Sequence, residues 1–190
     1  RDVTEERGRA TELLSLLEHD PTTGLLNRTA AVERTANALR RINEDGGEVA
    51  ILMIDIDRLR DVNDALGHEV GDRLLNSTAR RLATAVRPND TIARIGGDEF
   101  VVLCYAVPDS AVAMELADRV RRALTGRLTI KHHDLDVSVS VGGSITAEEI
   151  RAISPNQAAV QLLSHADTAV HAAKRAGRAR SAMYTSQLRT

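Results

Sequence analysis

Apolar residues recur every three to four positions in several stretches of the chain, which is the spacing of a helix with one buried face. A narrow stripe of this kind over residues 1–19 would pack either on the rest of the domain or on the same helix of a second chain, and we favour such a coiled coil. Segments 58–71 and 146–156 are polar and are expected to form turns or loops. The longer helices are predicted at residues 28–45, 72–87, 110–125 and 157–176.

Other stretches have the pattern of strands. The nearly continuous apolar run over residues 48–57 predicts a central strand, buried on both faces, that carries Asp55 and Asp57 at its end. A buried carboxylate is costly unless it is paired or bound to metal, so Asp55 is a candidate ligand, whereas Asp57 is expected to be exposed or salt-bridged. Further strands are predicted at residues 90–95, 100–105, 128–130, 135–145 and 180–184.

Gly96 and Gly97 separate two of these strands and predict a tight hairpin, because both central positions of a type I′ turn need positive φ. Asp98 and Glu99 follow at once. A bare glycine backbone offers amide donors to phosphate, and adjacent acids offer oxygen ligands to a hard cation such as Mg²⁺. These residues alone leave two readings open: a phosphate and metal site, or a hairpin tip kept soluble by its acids.

The order of elements places a hairpin in the middle of the sheet. It therefore predicts an α+β fold with a mixed or antiparallel sheet of about five strands surrounded by helices, rather than a doubly wound one. No internal repeat or second domain is visible. We expect a connector helix over residues 1–19 followed by a single domain over residues 20–190.

Composition narrows the functional classes. With 43% hydrophobic and 27% charged residues, the 190-residue chain is typical of a globular domain. A net charge of −2 and only 2% aromatic residues argue against a nucleic-acid-binding surface. The single cysteine, Cys104, lies in an apolar strand and fits a reducing, cytoplasmic compartment. No run is long enough to span a bilayer. Because the chain begins at Arg1 rather than Met, we expect an upstream region, which could attach the protein to a membrane.

Several motifs occur together in a fixed order. They are Asp55, the GGDEF signature at residues 96–100 and the sequence DPTTGLLNR at residues 20–28. Together they resemble the GGDEF family of diguanylate cyclases over about residues 19–186. The resemblance implies a palm-like fold similar to that of nucleotidyl cyclases. It also implies an enzyme that condenses two GTP molecules into cyclic di-GMP and releases two pyrophosphates.

The resemblance assigns metal ligands and catalytic residues. It implies two Mg²⁺ (or Mn²⁺) ions in each active half-site, which bridge phosphate oxygens and lower the pKa of the attacking 3′-hydroxyl. The implied metal ligands are Asp55, the main-chain carbonyl of Ile56, Asp98 and Glu99. The implied catalytic residues are Asp98, Glu99 and Arg60, which keeps the positive charge of the lysine that is usual there.

The resemblance also assigns the substrate contacts. Asn63 and Asp72 match the residues that read guanine, since an amide and a carboxylate can pair with its donor edge. Lys174 and Arg178 are expected one turn apart on the same side of the last helix, suited to the β- and γ-phosphates. The full implied set is Asn63, Asp72, Gly96, Gly97, Lys174 and Arg178.

A further motif implies regulation. Arg87 and Asp90 match the Arg-x-x-Asp site at which cyclic di-GMP inhibits members of the family, although Arg87 alone could cap its helix. His171 departs from the family, which commonly has tyrosine at that position.

Each site holds one GTP, so the resemblance implies a two-fold homodimer whose half-sites face each other, controlled by an upstream sensory domain. Two rival hypotheses are a silent receptor for cyclic di-GMP or GTP, and a scaffold that uses only its N-terminal helix.

Overall fold

The computed structural model describes residues 17–189, so nearly all of the connector helix predicted over residues 1–19 lies outside the described residues. The α-helices are α1 Arg28–Asp45, α2 Leu59–Leu66, α3 His68–Ala85, α4 Ser110–Leu124, α5 Glu148–Arg151 and α6 Pro155–Arg175. The strands are β1 Glu48–Ile56, β2 Thr91–Arg94, β3 Glu99–Val107, β4 Gly126–Ile130, β5 His133–Val137, β6 Val139–Ile145 and β7 Ser181–Met183. A 3₁₀ turn over Ser186–Arg189 follows.

A five-stranded sheet forms the centre of the domain, in the order β2-β3-β1-β6-β7. β1 runs antiparallel to both β3 and β6, whereas β7 runs parallel to β6, so the sheet is mixed. β4 and β5 form a separate two-stranded sheet. The α+β fold, the central position of β1 and the signature on the β2–β3 hairpin are all confirmed.

Helices cover both faces of the sheet, and alternation along β1 divides the core accordingly. One core packs the even-numbered side chains of β1 against α3 and α4, and these residues are Ala50, Leu52, Ile54 and Ile56. The other core packs the odd-numbered side chains against α1 and α6, and these are Val49, Ile51 and Met53. Because Asp55 continues the odd series, its carboxylate belongs to the face that α6 covers.

Three local predictions were wrong. Residues 58–71 are mainly helical, because Leu59, Val62 and Leu66 form a short apolar stripe and Gly67, at φ 90°, separates α2 from α3. Residues 135–145 are split into β5 and β6, which belong to different sheets. The segment 146–156 contains the short helix α5 and the start of α6.

Cys104 is 1% exposed, and burial raises the pKa of its thiol to about 12, which confirms that it is a core residue. Within residues 17–189, no helix combines the length and apolar character that crossing a membrane requires.

Candidate active site

Two carboxylates face each other at the end of the central strand. Asp55 on β1 and Glu99 on β3 are register partners in the antiparallel pair, so their side chains leave the same face of the sheet. Like charges placed directly opposite each other destabilise a sheet unless a cation lies near them. The chain therefore maintains an unfavourable pair where α6 ends.

Lys174, in the last turn of α6, supplies a cation to this pair. Its Nζ lies 2.5 Å from Oδ2 of Asp55. Burial raises the pKa of Asp55 to about 6; the hydrogen bond from Lys174 opposes this rise, while the charges of Asp98 and Glu99 add to it. Burial also raises the pKa of Glu99, with further contributions from Asp167 and Asp98. The negative charges of these carboxylates therefore lie close together, and the ammonium of Lys174 offsets their repulsion only in part.

The signature turn differs from the predicted type I′ hairpin. Neither Gly96 nor Gly97 has positive φ, and residues 95–98 connect the two strands, with Ile95 N–H donating to Glu99 O at 3.0 Å. A Cβ added to Gly96 would lie 2.5 Å from Oε2 of Glu99. A Cβ on Gly97 would meet nothing within 4 Å. Gly96 therefore leaves room for the Glu99 carboxylate, whereas no protein atom requires glycine at position 97, where the backbone is open.

Two contacts fix the backbone of this turn. Ile56 N–H donates to the carbonyl of Asp98 at 3.1 Å, which ties the end of β1 to the acid of the turn. Arg94 Nη2 donates to the carbonyl of Gly97 at 2.7 Å, and Arg94 Nη1 donates to both carboxylate oxygens of Asp20 at 3.0 Å. The N-terminal motif is thereby joined to the turn.

Asp20 is well suited to hold Arg94. Its Oδ2 accepts hydrogen bonds from Thr23 N–H at 2.8 Å and from Thr23 Oγ1 at 2.7 Å. Burial acts to raise the pKa of Asp20, but these bonds and Arg94 outweigh it and lower the pKa below 3.8. The link between Asp20 and Arg94 was not predicted from the sequence, although the opposite charges of two residues in separate motifs were an available signal.

The cavity beside the turn has a volume of about 490 Å³. It is lined by both predicted base readers, Asn63 and Asp72, and by three other predicted site residues, Arg60, Gly97 and Asp98. Asn63 lies against Gly71, where any side chain would collide with its amide. Within residues 17–189, Oδ1 of Asn63 is buried without a hydrogen-bond partner, so an acceptor is available for a donor brought by a ligand.

The predicted phosphate-binding residues meet in a different way from that expected. α6 ends at Arg175, and Arg178 lies beyond it with φ 60°, so Lys174 and Arg178 do not share a helix face. Both nevertheless line one cavity of about 740 Å³ together with His171. Gly177 ends the helix before Arg178 is reached, which is why the i, i+4 spacing was misleading.

Asp57 is neither exposed nor salt-bridged, contrary to prediction. Its carboxylate is partly buried and accepts hydrogen bonds from Ser138 Oγ at 2.7 Å, Ser140 Oγ at 2.8 Å and Ala179 N–H at 3.2 Å. The two serines lie on or beside β6, more than eighty positions away in sequence, so no local pattern could have identified them.

Arg87 and Asp90 lie in the loop between α3 and β2. Oδ2 of Asp90 accepts the backbone N–H of Arg87 at 3.0 Å, so this contact leaves the guanidinium of Arg87 unused. Arg87 lines a cavity of about 390 Å³ together with Arg119 and Arg122 of α4, and the acids Glu115 and Asp118 of the same helix also line it. The three arginines outnumber the two acids, which leaves a small excess of positive charge for an anionic ligand.

The acids at the end of β1 suit a hard divalent cation. Such a cation binds carboxylate oxygens and would offset the repulsion between them. In the part of the chain that the structure describes, no three His, Cys, Asp or Glu side chains already form a metal-binding group. Asp55 is instead paired with Lys174.

The mixed sheet, with facing acids at the end of its central strand and a cavity beside an acidic turn, defines an α+β domain with a candidate nucleotide-binding site. The family model described as "Diguanylate cyclase, GGDEF domain" matches residues 17–180, and the chain belongs to the GGDEF family.

Relatives confirm this membership. The chain is 39% identical over 179 residues to an uncharacterized signaling protein of Caulobacter vibrioides, covering 94% of this chain and 21% of that protein. It is 38% identical over 170 residues to the response regulator PleD of the same species, covering 87% of this chain and 36% of PleD. The chain thus spans only about a fifth to a third of the length of these curated relatives.

Solved structures share the fold. The GGDEF domain of TpbB from Pseudomonas aeruginosa superposes with a TM-score of 0.81 at 33% identity, covering 90% of this chain and 96% of that one. The coiled coil and GGDEF domain of DgcB from Caulobacter crescentus, in complex with c-di-GMP, superposes with a TM-score of 0.82 at 25% identity. That match covers 95% of this chain and 93% of the DgcB chain.

Proposed function

We propose that this chain is the catalytic domain of a diguanylate cyclase, which joins two GTP molecules into cyclic di-GMP and releases two pyrophosphates. The observation that carries the proposal is the facing pair of Asp55 and Glu99, held beside Lys174 and next to the cavity that contains Asn63 and Asp72. Acids, a phosphate-binding cation and a base-reading pocket are the parts that guanylyl transfer requires.

The base is read in the cavity between α2 and α3. The unpaired Oδ1 of Asn63 and the carboxylate of Asp72 accept hydrogen bonds from N1–H and the amino group of guanine. Adenine lacks this arrangement of donors, so its binding would leave buried acceptors unsatisfied. Arg60, with a side chain 92% exposed at the rim, is free to reach an anionic group of the substrate.

The reaction occurs at the end of β1. Lys174 and Arg178 bind the β- and γ-phosphates, and the open backbone at Gly97 lets the nucleotide approach the turn. The 3′-oxygen of each GTP attacks the α-phosphorus of the other. Each attack forms one phosphodiester bond, breaks the bond from that phosphorus to the bridging oxygen and releases one pyrophosphate, so two attacks close the ring. Asp98 helps to activate the hydroxyl by accepting its proton.

Asp55, the carbonyl of Ile56, Asp98 and Glu99 are the groups that would hold Mg²⁺ or Mn²⁺. When bound, such ions polarise the α-phosphate and lower the pKa of the 3′-hydroxyl. The raised pKa values of Asp55 and Glu99 support this assignment, because carboxylates that resist charging in the ligand-free protein gain most from a nearby cation.

The domain acts as a homodimer under the control of an upstream sensory domain, since one site holds one GTP and the two half-sites must face each other. The small share of each relative that the chain covers supports a longer, multidomain protein. The arginine-lined cavity at Arg87 supports inhibition by the anionic product.

The test is to incubate concentrated, folded protein with GTP and Mg²⁺ and to quantify cyclic di-GMP and pyrophosphate. We expect two pyrophosphates per cyclic di-GMP, and Asp98→Ala should abolish product formation. Asp61→Ala, which removes an exposed acid of α2, is the matched control and should retain turnover. Binding of cyclic di-GMP without any turnover by the wild-type chain would instead establish the silent receptor.

A further inference from the structure

Asp57 lies two positions beyond Asp55, but its contacts point to a different role. Its oxygens accept three hydrogen bonds, from Ser138, Ser140 and the backbone of Ala179. Ser140 is fully buried, and its hydroxyl lies 2.8 Å from Oδ1. Asp57 thereby connects the end of β1 with β6 and with the segment that follows α6.

That segment has an uncommon backbone. Gly177 has φ 118°, and it is followed by two non-glycine residues in the left-handed region, Arg178 at 60° and Ala179 at 50°. Side chains rarely adopt this conformation, and it persists only where surrounding contacts impose it. The N–H groups of Gly177 and Arg178 donate to α6 carbonyls at 3.2 and 3.1 Å, which leaves the N–H of Ala179 for Asp57.

The position of Arg178 depends on this turn. A continued helix would place residue 178 one turn beyond Lys174 along α6; the left-handed turn instead carries Arg178 past the helix end, where it lines one cavity with Lys174. The residues beyond it are held by contacts of their own, because Arg121 Nη1 donates to Ala179 O at 3.3 Å and Val141 N–H donates to Arg180 O at 2.9 Å.

We propose that Asp57 is a positioning residue for phosphate binding: by holding the N–H of Ala179, it fixes the left-handed turn that presents Arg178 to the outer phosphates of the nucleotide. This inference rests on the proposed function, in which Arg178 contacts those phosphates. Three protein donors already occupy the carboxylate, as expected for a side chain that holds structure in place.

The experiment separates this role from simple stabilisation of the fold. Asp57→Ala also leaves the buried hydroxyl of Ser140 without its acceptor, and the resulting loss of stability would complicate the comparison of nucleotide affinities. Ser140→Ala is the matched control, since it keeps the bond between Asp57 and Ala179. The double variant Asp57→Ala/Ser140→Ala removes the carboxylate together with the buried hydroxyl of Ser140, and it should recover much of the melting temperature without restoring the turn. Asp57→Asn retains an acceptor for Ala179 and is the conservative rescue.

Two quantities are measured for each variant: the hydrogen-exchange rate of peptides containing Ala179, and the affinities for GMP and for the non-reacting analogue α,β-methylene-GTP with Mg²⁺. In Asp57→Ala and in the double variant, exchange should accelerate and affinity for the analogue should fall roughly ten- to a hundredfold, while GMP affinity stays unchanged. Ser140→Ala and Asp57→Asn should resemble the wild type.

Unchanged exchange at Ala179 in Asp57→Ala would overturn the anchoring role. Equal losses of GMP and analogue affinity that follow the melting temperature would reduce Asp57 to a structural residue. If the wild-type chain bound neither nucleotide, the proposed function itself would fail and the phosphate role with it, and the exchange data would still show separately whether Asp57 holds the turn.

Discussion

Arg94 and Asp20 form a charged pair across 74 positions of sequence, with Nη1 of the arginine 3.0 Å from both carboxylate oxygens. The same guanidinium holds the carbonyl of Gly97 through its other terminal nitrogen at 2.7 Å. One side chain therefore connects the beginning of the described chain to the signature turn. We therefore expect that a displacement of Asp20 would also displace the backbone of Gly97, which the nucleotide approaches in the proposed function.

Asp20→Asn should lower both stability and turnover. The two side chains are 16% and 12% exposed, so loss of the charge weakens largely desolvated hydrogen bonds and should cost about 1–3 kcal/mol of the free energy of unfolding. Denaturant titration and initial rates of cyclic di-GMP formation measure the two effects. Asp134→Asn, in an exposed pair with Arg127, should change stability by no more than about 0.5 kcal/mol. Equal effects of both substitutions would contradict a special role for Asp20.

Lowering the pH should remove the contribution of Asp20 to the free energy of unfolding. Its pKa is lowered in the folded protein below the usual 3.8, so the unfolded chain binds more protons there and stability rises with pH. The contribution is therefore fully present above about pH 4 and is lost as pH falls through the folded-state pKa. The difference in unfolding free energy between wild type and Asp20→Asn, measured from pH 7 down to 2.5, should shrink as pH falls. A difference that is constant with pH would contradict this.

The central strand and the hairpin were predictable because their patterns are local. A continuous apolar run indicates a strand buried on both faces, and β1 is such a strand, with Asp55 one residue before its end. The hairpin position also followed from sequence. Its turn type did not, because neither glycine has positive φ; Gly96 leaves room for the side chain of Glu99, and Gly97 contacts no protein atom that would exclude a Cβ.

Other features depend on contacts that no local pattern encodes. The last helix ends before it reaches Arg178. Asp57 accepts hydrogen bonds from two uncharged serines, on or beside β6, that are more than eighty positions away in the sequence. The charge of an aspartate at the end of a strand indicates a polar partner, but it cannot distinguish a cation from two serine hydroxyls. Short α2 was missed because its polar residues outnumber its three apolar anchors.

Gly96→Ala and Gly97→Ala should affect different properties. A Cβ at Gly96 would lie 2.5 Å from Glu99, so that carboxylate must move and turnover should fall at least about a hundredfold. A Cβ at Gly97 meets no protein atom within 4 Å, so the melting temperature should hardly change, whereas GTP should bind more weakly. Thermal melts and GTP titrations distinguish the two variants. Unaltered GTP binding by Gly97→Ala would show that the nucleotide does not approach this backbone.

Asn63→Ala should relax selection of the base. The amide Oδ1 is buried without a partner within residues 17–189, so its removal costs the free protein little and costs the complex one hydrogen bond to guanine. We expect kcat/KM for GTP to fall about ten- to a hundredfold. Because ITP lacks the 2-amino group, the preference for GTP over ITP should change in Asn63→Ala or Asp72→Ala according to which residue accepts from that group. Preferences equal to wild type in both variants would place guanine elsewhere.

Arg87→Ala should weaken inhibition by cyclic di-GMP while leaving the loop between α3 and β2 intact. Asp90 accepts the backbone N–H of residue 87, a bond that alanine retains, whereas the guanidinium faces the cavity shared with Arg119 and Arg122. Initial rates measured with increasing cyclic di-GMP should show the half-inhibitory concentration rising by about tenfold or more, as expected for loss of a charged contact to phosphate. Arg127→Ala removes an arginine 73% exposed on β4 and should retain wild-type inhibition. Inhibition that survives in Arg87→Ala would place the product in the active site instead, and it would then weaken at high GTP as competition requires.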